Sequence, residues 1–149
     1  MDHVAILRKA RISKDDNLLG DILAGTKTVE SRWYVNKISP WNKVKDGDRI
    51  YFKESGCPVA AAANVSKVLQ FENLDENTIA HIVRKYWKRI APHSSEKDFL
   101  AWVKKSNKRY CILIFLENVK AVEPFYINKK GFGISSAWLA VGRIESCRY

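Results

Sequence analysis

Within ten residues, Gly25 to Tyr34, the chain sets a lysine, a glutamate, an arginine and two aromatics in the order GTKTVESRWY. If residues 28–34 form a strand, period-two alternation puts Thr28, Glu30, Arg32 and Tyr34 on one face and Val29, Ser31 and Trp33 on the other. The first face is polar and aromatic together, which suits a small planar ligand that is both stacked and hydrogen-bonded. Glu30 can accept from an exocyclic amine or a ring N–H, and Arg32 can give a bidentate bond to a carbonyl or a phosphate. Trp33 is expected in the core. The same spacing also describes an exposed Glu–Arg pair on a strand, worth well under about 1 kcal/mol. Spacing alone leaves both readings open.

Three further groups can contribute. In DRIYFKES, Tyr51, Lys53 and Ser55 share one face and Ile50 and Phe52 the other, so Lys53 and Ser55 can line the same cleft as Glu30; a solvent-facing lysine beside a turn is the alternative. Lys129 and Lys130, followed by Gly131 and Gly133, read as a phosphate-tracking loop or as a plain surface loop. Trp138, isolated between small residues, is a core plug or a stacking platform. No GxSxG, HExxH, Walker loop or Rossmann fingerprint is present. Cys57, Cys111 and Cys147 are odd in number and far apart, and His3, His81 and His93 are scattered, so neither a disulfide framework, a metal site nor a cofactor is indicated.

The 149 residues, 46% hydrophobic and 28% charged, fit one domain spanning 1–149, a monomer by default. The formal charge of +10 favours an anionic partner, most simply RNA, with DNA possible, through phosphate contacts and counterion release. Nine Lys or Arg fall between Arg84 and Arg109 against only Glu96 and Asp98. No run approaches the roughly 18 apolar residues of a membrane span, and no secretory signal opens the chain. Cytoplasm, or nucleus, is the expected compartment.

These residues need elements to place them. Residues 3–9 alternate as a strand; DDNLLGDILAGT carries Leu18, Leu19, Ile22 and Leu23 at helical spacing, with Asp15 or Asp16 as N-cap and Gly25 as the stop. TVESRWYV, DRIYFK and VAAAANVSKVLQF read as strands. From Asp75 the period becomes helical, with Ile79, Ile82, Val83, Tyr86 and Ile90 on one stripe and Arg84, Lys85, Lys88 and Arg89 largely away from it. Pro92 breaks that helix, Ser94 or Ser95 caps a second, and Phe99, Trp102 and Val103 anchor it. RYCILIFLENV and KAVEPFYI are expected as two strands, followed by a basic glycine-containing loop leading to Trp138. The order β-α-β-β-β-α-α-β-β predicts a small α+β barrel with a mixed, largely antiparallel sheet of five to seven strands, and helices between Asp75 and Ser106 outside it.

The pattern G-x-K-x-x-E-x-R, here Gly25, Lys27, Glu30 and Arg32 directly after DILAG, resembles the signature of the ASCH family. DGDRIYFKESG and PFYINKKGFG…AW are similar to that family and to the related EVE and YTH domains. The resemblance spans essentially the whole chain. It implies a PUA-like pseudo-barrel with flanking helices and a cleft at the motif, associated with RNA or modified nucleobases. One ASCH branch hydrolyses N4-acetylcytidine with the motif lysine, a threonine three residues later and a glutamate on a following helix. Lys27 matches that lysine, but Glu30 stands at the threonine position, and the segment of the helix glutamate, Arg84 to Lys88, is basic. Ribonuclease activity is associated with some other relatives. The expected function is thus an RNA-binding module, reading single-stranded RNA or a modified base around Lys27, Glu30 and Arg32. The alternatives are a hydrolase of a modified nucleoside or of RNA, with Lys27 and Glu30 as its acid–base groups, and a protein-interaction or coactivator module.

Overall fold

The computed structural model describes residues 1–8, 12, 16–105, 107–133 and 135–149. Six strands, β1 (Asp2–Leu7), β2 (Val29–Tyr34), β3 (Arg49–Glu54), β4 (Val59–Phe71), β5 (Tyr110–Phe125) and β6 (Trp138–Gly142), form one sheet in the order β2-β5-β4-β3-β1-β6. Only β1 and β3 run parallel; the other neighbours are antiparallel. Register shifts along the β4–β5 ladder bend both long strands, because each extra residue sharpens the local twist. The sheet therefore curls into a half-barrel. Among the described residues no helix is long and apolar enough to cross a membrane.

Three helices pack around it: α1 (Leu18–Ala24), α2 (Glu76–Ile90) and α3 (Glu96–Lys104). Each starts on a side-chain cap that satisfies an orphan N–H, from Asn17, Asp75 and Ser95 respectively. Asn17, rather than Asp16, caps α1; Asp15 lies outside the described residues. Gly25 ends α1 in the left-handed region at φ 80°, where a Cβ would be strained.

Two expectations are corrected at the C-terminal end. Residues 109–119 and 120–127 are not two strands: β5 runs unbroken through the polar residues Glu117 to Lys120, with Asn118 at φ 51°. Asn118 and Val119 form a bulge there instead of a turn, and pairing with β4 holds on either side, Glu117 opposite Asn64 and Lys120 opposite Ala62. The segment from Trp138 is not merely a loop end but the edge strand β6, paired with β1. Its five residues are too few for a clear period.

The apolar residues separate into three clusters. Inside the curl lie Ala5, Ile50, Phe52, Ala61, Ala63, Ile112, Ile114 and Trp138. Outside β2 and β5, the α2 stripe of Ile79, Ile82, Val83, Tyr86 and Ile90 meets Phe99 and Val103 of α3 and covers Val29, Trp33 and Leu113. A third cluster, with Tyr51, Val59, Phe125 and Leu139, is closed by Ile144 and Cys147 from the short C-terminal 3₁₀ turn. Cys111 and Cys147 are buried free thiols and Cys57 is exposed.

Two polar contacts lock this frame. Lys27, 1% exposed, donates through Nζ to the carbonyls of Ile90 at 2.7 Å and Val29 at 2.8 Å. The α2 terminus leaves such carbonyls without helical partners, and a cation there also meets the negative end of the helix dipole. Thr28 N–H reinforces the joint by donating to Arg89 O. At the other end, Trp138 Nε1–H donates to Nδ1 of the fully buried His3 at 3.1 Å. The remaining proton of His3 must then sit on Nε2, which reaches Asp48 Oδ2 at 2.8 Å. Asp48 also accepts from Lys45 N–H and the Met1 amino group.

Replacing Lys27 with Met strands both carbonyls and deprives Glu30 of a cation, and should cost about 3–5 kcal/mol of unfolding free energy. A urea titration showing a loss below about 1 kcal/mol would mean that Lys27 does not hold the helix end. His3 supplies a second test. Burial, opposed by Asp48, keeps its pKa below the ordinary 6.5, so the unfolded chain takes up this proton first as pH falls. Its contribution is complete above about 6.5 and declines below it; Asp48, held below 3.8 because His3 and the Lys45 N–H outweigh its burial, adds a loss only in stronger acid. Between about pH 7.5 and about pH 5 the wild type should lose more stability than His3→Gln. Parallel pH profiles would contradict the neutral, hydrogen-bonded imidazole.

Candidate functional site

The cavity lies where the two edges of the curled sheet face one another. Strand β2 forms one edge, and β1 and β6 the other. Its volume is about 690 Å³, within the range of small-ligand clefts. Glu30, Arg32 and Tyr34 enter it from β2, Trp138 from β6, and Phe132, Ser135 and Ser136 from the loop before β6. Ile90, Ala91 and Trp102 close the helical side, and Ile38 and Ser39 belong to the segment after β2.

Glu30 and Arg32 are not a solvated strand pair. Glu30 is 4% exposed, and its side chain collects Ser31 N–H at 2.9 Å, Lys27 Nζ at 3.5 Å and Arg32 Nη2 at 3.4 Å. Arg32 reaches across the gap between the sheet edges, donating from Nη1 to Ala137 O at 3.2 Å and from Nη2 to Ile6 O at 3.4 Å. Its guanidinium lies 5.2 Å from the centre of the Trp138 ring, within cation–π range. Alternation along β2 explains the arrangement: Val29 and Trp33 turn out to the helices, while Glu30 and Arg32 turn into the curl.

The electrostatics follow from burial and pairing. Burial lowers the Lys27 pKa, against the attraction of Glu30. Burial alone would raise the Glu30 pKa, but Lys27, Arg32 and the Ser31 N–H outweigh it and hold the carboxyl below its ordinary value. Glu30 is thus a fixed carboxylate. Of its roughly four acceptor positions, these contacts use three. The Lys27 protons are directed at two carbonyls and one carboxylate.

Of the residues singled out in the sequence, Lys27, Glu30, Arg32, Tyr34 and Trp138 line this one cavity. Trp138, 2% exposed, is both a core residue and the surface under Arg32, so Arg32 already occupies a stacking position there. Lys53 and Ser55 are not among the lining residues: Lys53 is buried on β3, and Ser55 is exposed in the following turn. Lys129 and Lys130 precede the cavity wall, with Lys129 Nζ donating to Ser136 O at 3.1 Å and Lys130 exposed.

The α2 cations form an exposed row whose C-terminal end abuts the motif. Arg84 pairs with Glu96 at 3.3 Å; Lys85 and Lys88 lie over the Tyr86 and Trp87 rings. Arg89 lies over Phe115 and donates from Nε to Thr28 Oγ1 at 2.8 Å. Sequence reasoning did not place Arg8, Lys108 and Trp102 at the cavity. Trp102 sits on the apolar stripe of α3 beside Phe99 and Val103, which marks it for the core and hides its place at the cavity; Arg8 and Lys108 offered no signal beyond their charge.

Neither a protein-family model nor a curated protein sequence matches the chain. Among solved structures, it is similar to the ASCH protein from Zymomonas mobilis, with a TM-score of 0.64 at 14% identity over 99% of this chain and 96% of that one. A mutant of that protein gives a TM-score of 0.67 at 15% identity, covering 97% and 91% of the two chains. A hypothetical protein is similar at a TM-score of 0.53 and 15% identity, over 82% of this chain and all of its own. The curled six-stranded sheet with its three helices is the α+β, PUA-like fold of the ASCH domain.

Proposed function

We propose that the protein is an RNA-binding module that takes an unpaired or modified nucleobase into the cavity between the sheet edges. The observation that carries this reading is the state of Glu30: buried at the cavity floor and held ionised by three donors. Such a carboxylate recognises an N–H. It is poorly suited to deliver a proton, because its pKa is moved away from neutrality. Lys27 is equally committed, its amine bonded to Ile90 O and Val29 O. The hydrolase alternative needs at least one of these groups to change protonation during turnover. The half-buried Tyr34 and Trp102 supply apolar contact for a planar ring, and the adjoining α2 row supplies cations for a phosphate backbone.

RNA affinity should therefore fall steeply with salt, by about 0.7 in log K per log unit of salt for each neutralised phosphate. Reversing Lys85 and Lys88 to Glu should weaken binding to all sequences and flatten that dependence, while Arg32→Ala should also change which base is preferred. No binding to RNA or DNA at low salt would favour the coactivator alternative, in which the same cations meet an acidic protein.

Glu30→Gln separates reader from enzyme. The amide keeps one acceptor oxygen but turns an N–H toward donors, so a reader should lose about 1–3 kcal/mol of affinity. A hydrolase would instead keep its affinity and lose about 10²–10⁴-fold in turnover. The measurement pairs tryptophan-fluorescence titrations with mass spectrometry of N4-acetylcytidine, other acylated nucleosides and short RNA incubated with each protein. Product from wild type that vanishes in Glu30→Gln at unchanged affinity would replace the reading with catalysis.

A further inference from the structure

Behind the wall formed by the loop before β6 stands a cation with no counter-charge. Lys53 is 8% exposed, yet among the described residues no hydrogen bond or ion pair reaches its amine. Its register fixes where it sits. Lys53 lies opposite Ile6 of β1 and Val59 of β4. Ile6 N–H donates to Ala137 O at 3.0 Å, and Lys129 Nζ donates at 3.1 Å to the carbonyl of the preceding residue, Ser136. Arg32 donates to the carbonyls of the same Ile6 and Ala137 from the cavity side. The seam between β1 and the loop thus has Arg32 on its cavity face and Lys53 with Lys129 on the other, since Ile50 and Phe52 take the inner face of β3.

The charges acting on Lys53 are the wrong ones for a structural salt bridge. Burial lowers its pKa first and the Lys129 ammonium second, with only the Cys57 thiol opposing. No carboxylate contributes. A lysine whose stem is packed and whose amine faces a like charge costs stability without returning any, unless an anion joins it. The packed stem also means that little side-chain freedom remains to be lost on binding. Phosphate is the fitting anion, because it accepts from several ammonium donors at once. The following glycines, Gly131 at φ 92° and Gly133 at φ 86°, let the loop hold Lys129 against this seam in a backbone shape other residues resist.

We propose that Lys53 and Lys129 form a phosphate site beside the base cavity, so that the ligand is a nucleotide or an RNA strand and not a free nucleoside. The proposal rests on the cavity being the base site, and it can fail separately from that reading.

The test titrates wild type, Lys53→Met and Lys129→Gln with the four ribonucleosides, their 5′- and 3′-monophosphates and inorganic phosphate. At least one monophosphate should bind wild type tenfold or more tightly than its nucleoside, and Lys53→Met should erase that advantage without changing nucleoside affinity. Inorganic phosphate should raise the melting temperature of wild type and leave that of Lys53→Met unmoved, since only a native state with a site gains from ligand. Methionine replaces the unpaired cation with an apolar side chain of similar length, so this variant should fold at least as well as wild type without phosphate. Lys129→Gln, on the loop, should lose most of the phosphate response too. Equal affinity for nucleosides and monophosphates in wild type, or an advantage that survives in Lys53→Met, overturns the phosphate site while the base reading stands. A phosphate response abolished by Lys53→Met, with no binding of any nucleoside or nucleotide, keeps the anion site and overturns the base reading.

Discussion

A sheet that curls without closing leaves two unpaired edges facing each other, and Arg32 is what spans them here. Its two hydrogen bonds to Ile6 O and Ala137 O tie β2 to the β1–β6 edge across the cavity. A guanidinium in that position is tolerable only because Glu30 stands beside it. Glu30 is tolerable only because Lys27 and the Ser31 N–H meet its other oxygen. Lys27 in turn is tolerable because the end of α2 presents a bare carbonyl at Ile90. Each buried charge would be costly alone. Taken in series, they couple the closure of the sheet to the docking of a helix from a distant part of the sequence.

The triad leaves a net charge of one positive unit at the cavity floor, from two cations and one carboxylate. It favours ligands that bring an acceptor or a negative charge, and the only acceptor it offers in return is Glu30. Lys27 spends its protons within the protein, so the donors left to the triad belong to Arg32, and Asp16 adds a second carboxylate to the cavity lining. His3 steadies the opposite wall. By fixing the Trp138 indole it fixes the surface under Arg32, so the floor and the wall are held by separate networks that meet at one cation–π contact.

Elements with long, unambiguous periods were legible in the sequence. The α2 stripe, the αL stop at Gly25, a cap at Ser94 or Ser95 and the full extent of β4 follow from local rules that act within one element. The alternation in β2 likewise separated Glu30 and Arg32 from Val29 and Trp33. What it could not decide was burial. Nothing local says that both faces of β2 are covered, one by helices and one by the curl, so an exposed ion pair stayed open until the fold excluded it. β6 lacks the length for a clear period, and β5 reads as two strands because its polar middle holds a bulge, on both sides of which β4 remains its partner. Lys53 shows the same limit: periodicity gave its face, but whether that face joins the cavity depends on which strands become neighbours.

Every residue of the G-x-K-x-x-E-x-R pattern has a structural task that owes nothing to a reaction. Gly25 permits the left-handed stop, Lys27 caps α2, Glu30 balances two cations and Arg32 bridges the sheet edges. A chain can carry all four for the sake of folding and closure alone. Their presence therefore marks the fold, and chemistry has to be argued from what else reaches the cavity. Here the position three residues beyond the lysine holds a carboxylate locked among donors where the hydrolytic branch has a hydroxyl. That exchange replaces a hydroxyl by a carboxylate already held by three donors, and the proposed preference for recognition rests on that commitment.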